Sequence, residues 1–243
     1  MTAFRSLFLV AALAGVISGI FVTVVHQVAT VPTILAAEVY EGAGEGTGAA
    51  GHDYAQAQGT AETGGAAHVH DDEAWAPQDG IERTAYTMAA DILTGIGFAL
   101  LLVALYALRG ERLDWRRGLA WGLGGFAAVT LAPSLGLPPE VPGTEAAALL
   151  DRQIWWLATV ACTGGGLALI FLGKRAVYAV LGLALIVLPH AYGAPQPEIY
   201  GGLAPEALAH RFVVAVTVTS LLFWAVLGLS TGLLYDRFVK PAA

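Results

Sequence analysis

Six apolar runs, 6–28, 85–107, 118–135, 153–172, 176–192 and 212–234, decide what this chain folds into. Each is bounded by charge, Pro or Gly. Each reaches or approaches the roughly 20 residues that a helix needs to cross the hydrocarbon core of a bilayer. In lipid, backbone N–H and C=O groups have no water to turn to, so such runs are helices. Charged residues make up 13% of the chain, against roughly 25% in a soluble domain. So few charges cannot keep a water-facing surface free of apolar patches, which excludes a soluble enzyme. The formal net charge of -7 argues against a nucleic-acid partner. Cys162 is the single cysteine, so an intrachain disulfide and a Cys-based zinc site are both excluded. The expected fold class is all-α: a polytopic membrane protein with six transmembrane helices.

Lysine and arginine stay on the cytoplasmic side of a membrane protein. With six spans, Arg5, Arg109, Arg112, Arg116, Arg117, Lys174, Arg175, Arg237 and Lys240 all fall on one side, nine of the 12 basic residues. Both termini are therefore expected to be cytoplasmic. Arg5 ahead of an apolar stretch resembles a signal peptide, but Leu7 to Val25 is longer than an ordinary signal core. It reads as a retained anchor. The expected organisation is a first transmembrane helix over 1–29, an external segment over 30–84 and a five-helix transmembrane region over 85–243.

The third and fifth spans end alike, in Pro133-Ser-Leu-Gly136-Leu-Pro138-Pro139-Glu140 and Pro189-His190-Ala-Tyr-Gly193-Ala-Pro195-Gln-Pro197-Glu198. Each follows a basic pair and precedes a returning helix with Arg152 or Arg211 at its outer end. The first hairpin fits more loosely. Three parallel helical hairpins are expected, and repeats of this kind are common in transporters. Gly15-Val-Ile-Ser-Gly19 and Gly118-Leu-Ala-Trp-Gly122 are small-residue faces for close helix packing.

Within the external segment, Val31 to Glu41 reads as a short helix with Glu38 and Glu41 on one face; Thr30 suits its cap and Pro32 its first turn. From Gly42 the chain is nearly all Gly, Ala, Glu and Thr, a composition that predicts flexibility.

The external side also carries the chemistry. All six histidines fall in external segments or at external helix ends, with fifteen of the 19 acids. Imidazole and carboxylate together suit divalent transition metals. The clearest cluster is His68-Val-His70-Asp71-Asp72-Glu73, with His52-Asp53 upstream. In an extended strand His-x-His points both rings to one side. A solvated polar loop with incidental histidines is the plainer account of the same residues. His26, His190 and His210 stand at outer helix ends near Glu38, Glu140 and Glu198, where they form a candidate metal funnel. Singly, each suits an interfacial hydrogen bond. Arg83, Arg152 and Arg211 also lie at this end, either paired with Asp151 and the nearby Glu residues or flanking an anion.

Asp91 is the one acid inside a span, on a face shared with Thr84, Thr87 and Thr94. A carboxylate there costs on the order of 2.5–3.5 kcal/mol on insertion scales, so it faces protein or water and has a partner. It is the candidate transport-pathway residue; a structural tie to another helix is the alternative. No nucleotide-binding, HExxH, GxSxG or CxxCH motif occurs. No catalytic residue and no tightly bound cofactor are expected.

The segments VPTILAAEVYE (31–41), WRRGLAWGLGGF (115–126), LAPSLGLPPEVPG (131–143), RQIWW (152–156) and LPHAYGAP (188–195) resemble the CbtA family of predicted cobalt transporter subunits. The resemblance covers most of the chain outside 42–80. It implies a multi-pass protein of the bacterial inner membrane that takes part in Co2+ uptake, in connection with cobalamin synthesis. It also implies a small single-span partner, CbtB. A non-transporting scaffold or metal sensor that binds a partner through its outer loop is the alternative function.

Overall fold

The computed structural model describes residues 2–50, 77–110, 113–198 and 201–239, with the side chains of 2, 3 and 41–50 left out. The described chain is helical: α1 (Thr2–Ala29), α2 (Val31–Ala50), α3 (Ile81–Arg109), α4 (Trp115–Phe126), a π-helical turn (Ala127–Leu131), α5 (Ala132–Ser134), α6 (Leu149–Leu172), α7 (Ala176–Tyr192) and α8 (Glu206–Phe238). The one β feature among the described residues is an isolated bridge between Thr144 and Gly202. Among the described residues, four helices are long and apolar enough to cross a membrane: Phe4–Ala29, Ile81–Arg109, Leu149–Leu172 and Glu206–Phe238. The fifth run is the apolar α7, of 17 residues. The third run is helical from Trp115 to Ser134 but is interrupted by the π turn. The interruption has a local cause. Pro133 has no N–H to donate and its ring crowds the carbonyl of Val129, so the backbone widens just before it.

Helix ends follow local chemistry. The Asp114 carboxylate caps α4 by accepting from the Arg117 backbone N–H at 2.8 Å. Gly110 ends α3 in the left-handed region at φ 63°, with its N–H on the Tyr106 carbonyl. α2 runs through Ala50, past Glu41, where the sequence pattern ended its short helix.

Consecutive spans do not pack as three hairpins. α1 lies on α3 and α8, α4 lies on α8, and α6 lies on α7. The first expected hairpin is a packed pair, the second is packed only through the π turn, α5 and a few residues of α4 against α6, and the third is not packed, since α7 lies on α6 and away from α8. Each antiparallel pair meets through glycine. Gly19 faces Ile92, and a Cβ on Gly95 would sit 2.6 Å from the Gly15 carbonyl oxygen. A Cβ on Gly228 would meet the Gly118 carbonyl at 2.5 Å, and one on Gly182 the Gly166 carbonyl at 2.5 Å. Lipid tails are as apolar as leucine, so backbone approach and dispersion hold such helices together. The GxxxG faces at Gly15–Gly19 and Gly118–Gly122 are interfaces, as expected.

The core lies where α1, α3, α4 and α8 meet, around Val10, Val103, Tyr106, Phe126, Trp224 and Leu227. Phe98 packs on Trp224 with ring centroids 4.7 Å apart. Tyr106 hydrogen-bonds Thr231 at 3.2 Å and meets the rings of Trp121 and Tyr235 edge-on. These contacts gather the end of α3, the start of α4 and the end of α8. That end of the bundle carries Arg109, Arg116, Arg117 and Arg237. At the other end the loops after α5 and α7 pair: the Glu145 N–H donates to the Gly201 carbonyl at 3.3 Å and the Leu203 N–H to that of Gly143 at 3.4 Å. This is the acidic end.

Candidate functional site

Thr23, His26 and Thr30 recur on one face of α1 at helical spacing, and Arg83, Thr84, Thr87 and Asp91 do so on α3. The glycine-mediated approach of α1 to α3 brings the two faces together. Asp91 lies ten residues into α3, roughly 15 Å along its axis. Thr23 Oγ1 is 2.8 Å from Asp91 Oδ2 and 2.9 Å from the Gly19 carbonyl oxygen. His26 Nε2 is 3.8 Å from Asp91 Oδ1. The Asp91 side chain is 18% exposed and that of His26 28%, so the pair is neither sealed nor open.

The other ring nitrogen fixes the histidine. His26 Nδ1 is 2.7 Å from Thr30 Oγ1, and that hydroxyl is 3.3 Å from the His26 carbonyl oxygen. With the ring proton on Nδ1, the Thr30 hydroxyl accepts from it and donates to the His26 carbonyl, which leaves the Nε2 lone pair on the Asp91 side; with the proton on Nε2, the hydroxyl donates to Nδ1 and Nε2–H points at the carboxylate. Thr30 is 3% exposed. Its side chain is committed to this histidine, whereas the sequence pattern suggested a cap for α2.

Closer to the helix ends, Gln27 Nε2 reaches Thr84 Oγ1 at 3.5 Å. Arg83 binds Glu38 at 2.6 Å and Asp79 at 2.9 Å. Glu38 is thus engaged by an arginine, and the ion pair ties α2 to the start of α3. The Glu41 side chain is outside the described residues, as are His68, His70, Asp71 and Asp72, together with His52, Asp53 and Glu73.

His190 and His210 do not join this cluster. His190 Nε2 is 3.0 Å from the Ala132 carbonyl oxygen and Nδ1 3.1 Å from that of Ile186. With its proton on Nε2 the ring donates to the Ala132 carbonyl and ties α7 to α5; with the proton on Nδ1 it donates to Ile186 of its own helix. Trp155 adds to the tie by donating to the Pro189 carbonyl at 3.2 Å. His210 is exposed and lines a cavity of about 360 Å3 with Glu140, Glu145, Arg152 and Glu206. There Arg152 binds Glu140 at 2.9 Å. No three His, Cys, Asp or Glu side chains among the described residues converge to hold a metal ion. Two lie together, His26 and Asp91.

Sequence reasoning named His26 and Asp91 separately, gave Thr30 only a capping role and passed over Thr23. The available signal was periodicity: Thr23 and Thr30 stand three before and four after His26 on an otherwise apolar helix.

The fold and this cluster define a class, a multi-pass helical membrane protein with a polar site between packed helices. The chain belongs to the CbtA family: the family model described as probable cobalt transporter subunit (CbtA) matches residues 4–236. A transporter subunit works within a complex and is not ordinarily an enzyme. No curated protein and no solved structure matches the chain.

Proposed function

We propose that this chain is a pathway subunit that carries Co2+ into the cell, and that His26 and Asp91 hold the ion at the intramembrane step. The single observation behind this reading is the 3.8 Å gap between His26 Nε2 and Asp91 Oδ1, with the opposite ring nitrogen hydrogen-bonded to Thr30. Two metal–ligand bonds of about 2.1 Å at an angle of roughly 130° span such a gap. A hydrogen-bonded Nδ1 is the arrangement that sets the tautomer of a metal-binding histidine. A two-residue site suits cargo that must leave again, and water or a second subunit completes the coordination. The small single-span CbtB-like protein is our candidate for that subunit, and cobalamin synthesis the use of the metal.

In this reading the chain crosses the bacterial inner membrane six times, with the basic end of the bundle and both termini in the cytoplasm. The first helix, the external segment 30–84 and the five-helix region 85–243 then have separate duties. His68, His70, Asp71 and Asp72, with Glu41, raise the local metal concentration outside the membrane. Uptake of labelled cobalt in cells with and without the chain is the test, with the other subunits present in both. Equal uptake at low external cobalt would favour a scaffold or sensor.

The topology has its own test. With Cys162 replaced by serine, a Thr60→Cys variant is expected to react in intact cells with a thiol reagent that cannot cross the membrane. Labelling that appears only after the cells are opened would invert the orientation.

A further inference from the structure

Three arginines stand at the acidic end of the bundle, and the structure treats one of them differently. Arg83 is neutralised by Glu38 and Asp79, and Arg152 by Glu140. Arg211, at the start of α8, makes no ion pair or hydrogen bond among the described residues. It lines a groove of about 490 Å3 between α2 and α8, whose other main walls are Val39, Tyr40, Pro205 and Leu208. None of the described residues lining the groove is an acid. The neighbouring cavity beside Arg152 has three glutamates in its lining. The groove therefore combines one uncompensated cation, a phenol and apolar walls. It lies at the polar start of a 33-residue helix apolar enough to cross a membrane.

We propose that this groove binds an anionic phospholipid of the adjoining leaflet, with the headgroup phosphate on Arg211 and acyl chain against Val39 and Leu208. A guanidinium presents paired N–H donors that match two phosphate oxygens. Tyrosine at a membrane boundary places its ring in the apolar zone and its hydroxyl among headgroups, which suits Tyr40. A single uncompensated arginine near the surface favours an anionic over a zwitterionic headgroup by about fivefold. The bound lipid joins α2 to α8. This assignment stands on the groove and does not rest on the cobalt reading.

Native mass spectrometry of the purified full chain tests it, with phosphatidylglycerol and phosphatidylcholine of identical acyl chains as probes. Wild type is expected to retain phosphatidylglycerol about fivefold better. Arg211→Gln is expected to bring the two lipids level, and Arg211→Lys to keep most of the preference. Leu208→Trp fills the groove with the charge intact and is expected to reduce retention of both lipids. An unchanged preference in Arg211→Gln or equal binding of both lipids by wild type overturns the assignment. So does full displacement by millimolar glycerol 3-phosphate, which would mark a free-phosphate site. A co-purifying protein lost on Arg211→Gln while lipid retention holds would give the groove to a partner and overturn it equally.

Discussion

Asp91→Asn is expected to lower cobalt uptake by at least about tenfold at matched protein level, while thermal stability in detergent changes little. Asparagine keeps the size of the side chain and a carbonyl oxygen for the Thr23 hydroxyl, now at 2.8 Å from Oδ2. What it loses is the charge and half of the anionic acceptor capacity. Interhelical hydrogen bonds in membranes average about 0.6 kcal/mol, so exchanging this one has a small effect on folding. Removing a charge from the span also lowers the insertion cost of α3. A metal-binding role responds differently. Losing a carboxylate ligand exceeds the 10–100-fold effect typical of losing a group that only orients a ligand. Thr30→Val is such an orienting change, because it frees His26 Nδ1 while leaving both the imidazole and the Asp91 carboxylate in place. Its expected loss is smaller than that of Asp91→Asn. Wild-type uptake by Asp91→Asn would remove the ion from this site. Loss of folded protein together with uptake would make Asp91 a structural tie, and the search would turn to His210 and its cavity.

The spans were legible because hydropathy is a property of single segments. The fifth run, 176–192, coincides with α7, and the others are extended mainly by polar turns such as Glu206–Arg211 at the start of α8. Which helix lies beside which was not legible in the same way. Basic residues report which end of a helix stays inside, and that constraint is met equally by hairpin pairing and by α4 on α8 with α6 on α7. The difference is written in glycine positions, and Gly166 meets its partner Gly182 in a pattern with no spacing rule to announce it. The same holds for the polar site. Asp91 was conspicuous as an acid in an apolar run, so its need for a partner was evident. The partner's identity depends on the register of α1 against α3, across 68 residues of sequence. Gly15 and Gly19 set that register by seating Ile96 and Ile92, and only then do Thr23 and His26 come opposite Asp91.

Glycine registry leads to the largest expected effect on stability. Gly122→Ala is expected to cost at least about 1–3 kcal/mol, the usual penalty of overpacking a close-packed interface. Against a total of roughly 5–15 kcal/mol, that is a large share. The added Cβ would stand 2.8 Å from the Gly228 Cα and closer still to the Trp224 carbonyl oxygen. Carbon pairs settle at about 3.5–4.0 Å, so α4 must retreat from α8 along the whole seam. Neither obstacle is a flexible side chain that can swing away. Both are helix backbone, and Trp224 is also fixed by its contact with Phe98. Gly118 sits one turn earlier against Gly228 and Gly232, so the retreat would loosen that contact as well. Gly124 lies on the same helix two residues away, and a Cβ there meets nothing within 4 Å. Gly124→Ala is therefore the internal control. It gains about 0.5–1 kcal/mol of helix propensity without touching a neighbour. Melting of the two variants in detergent, beside wild type, separates the accounts. The packing argument expects Gly122→Ala to melt well below wild type and Gly124→Ala at or slightly above it. Equal melting of the two would mean that α4 and α8 do not meet through these glycines. The pairing of α4 with α8, and not merely the strength of one contact, would then be wrong.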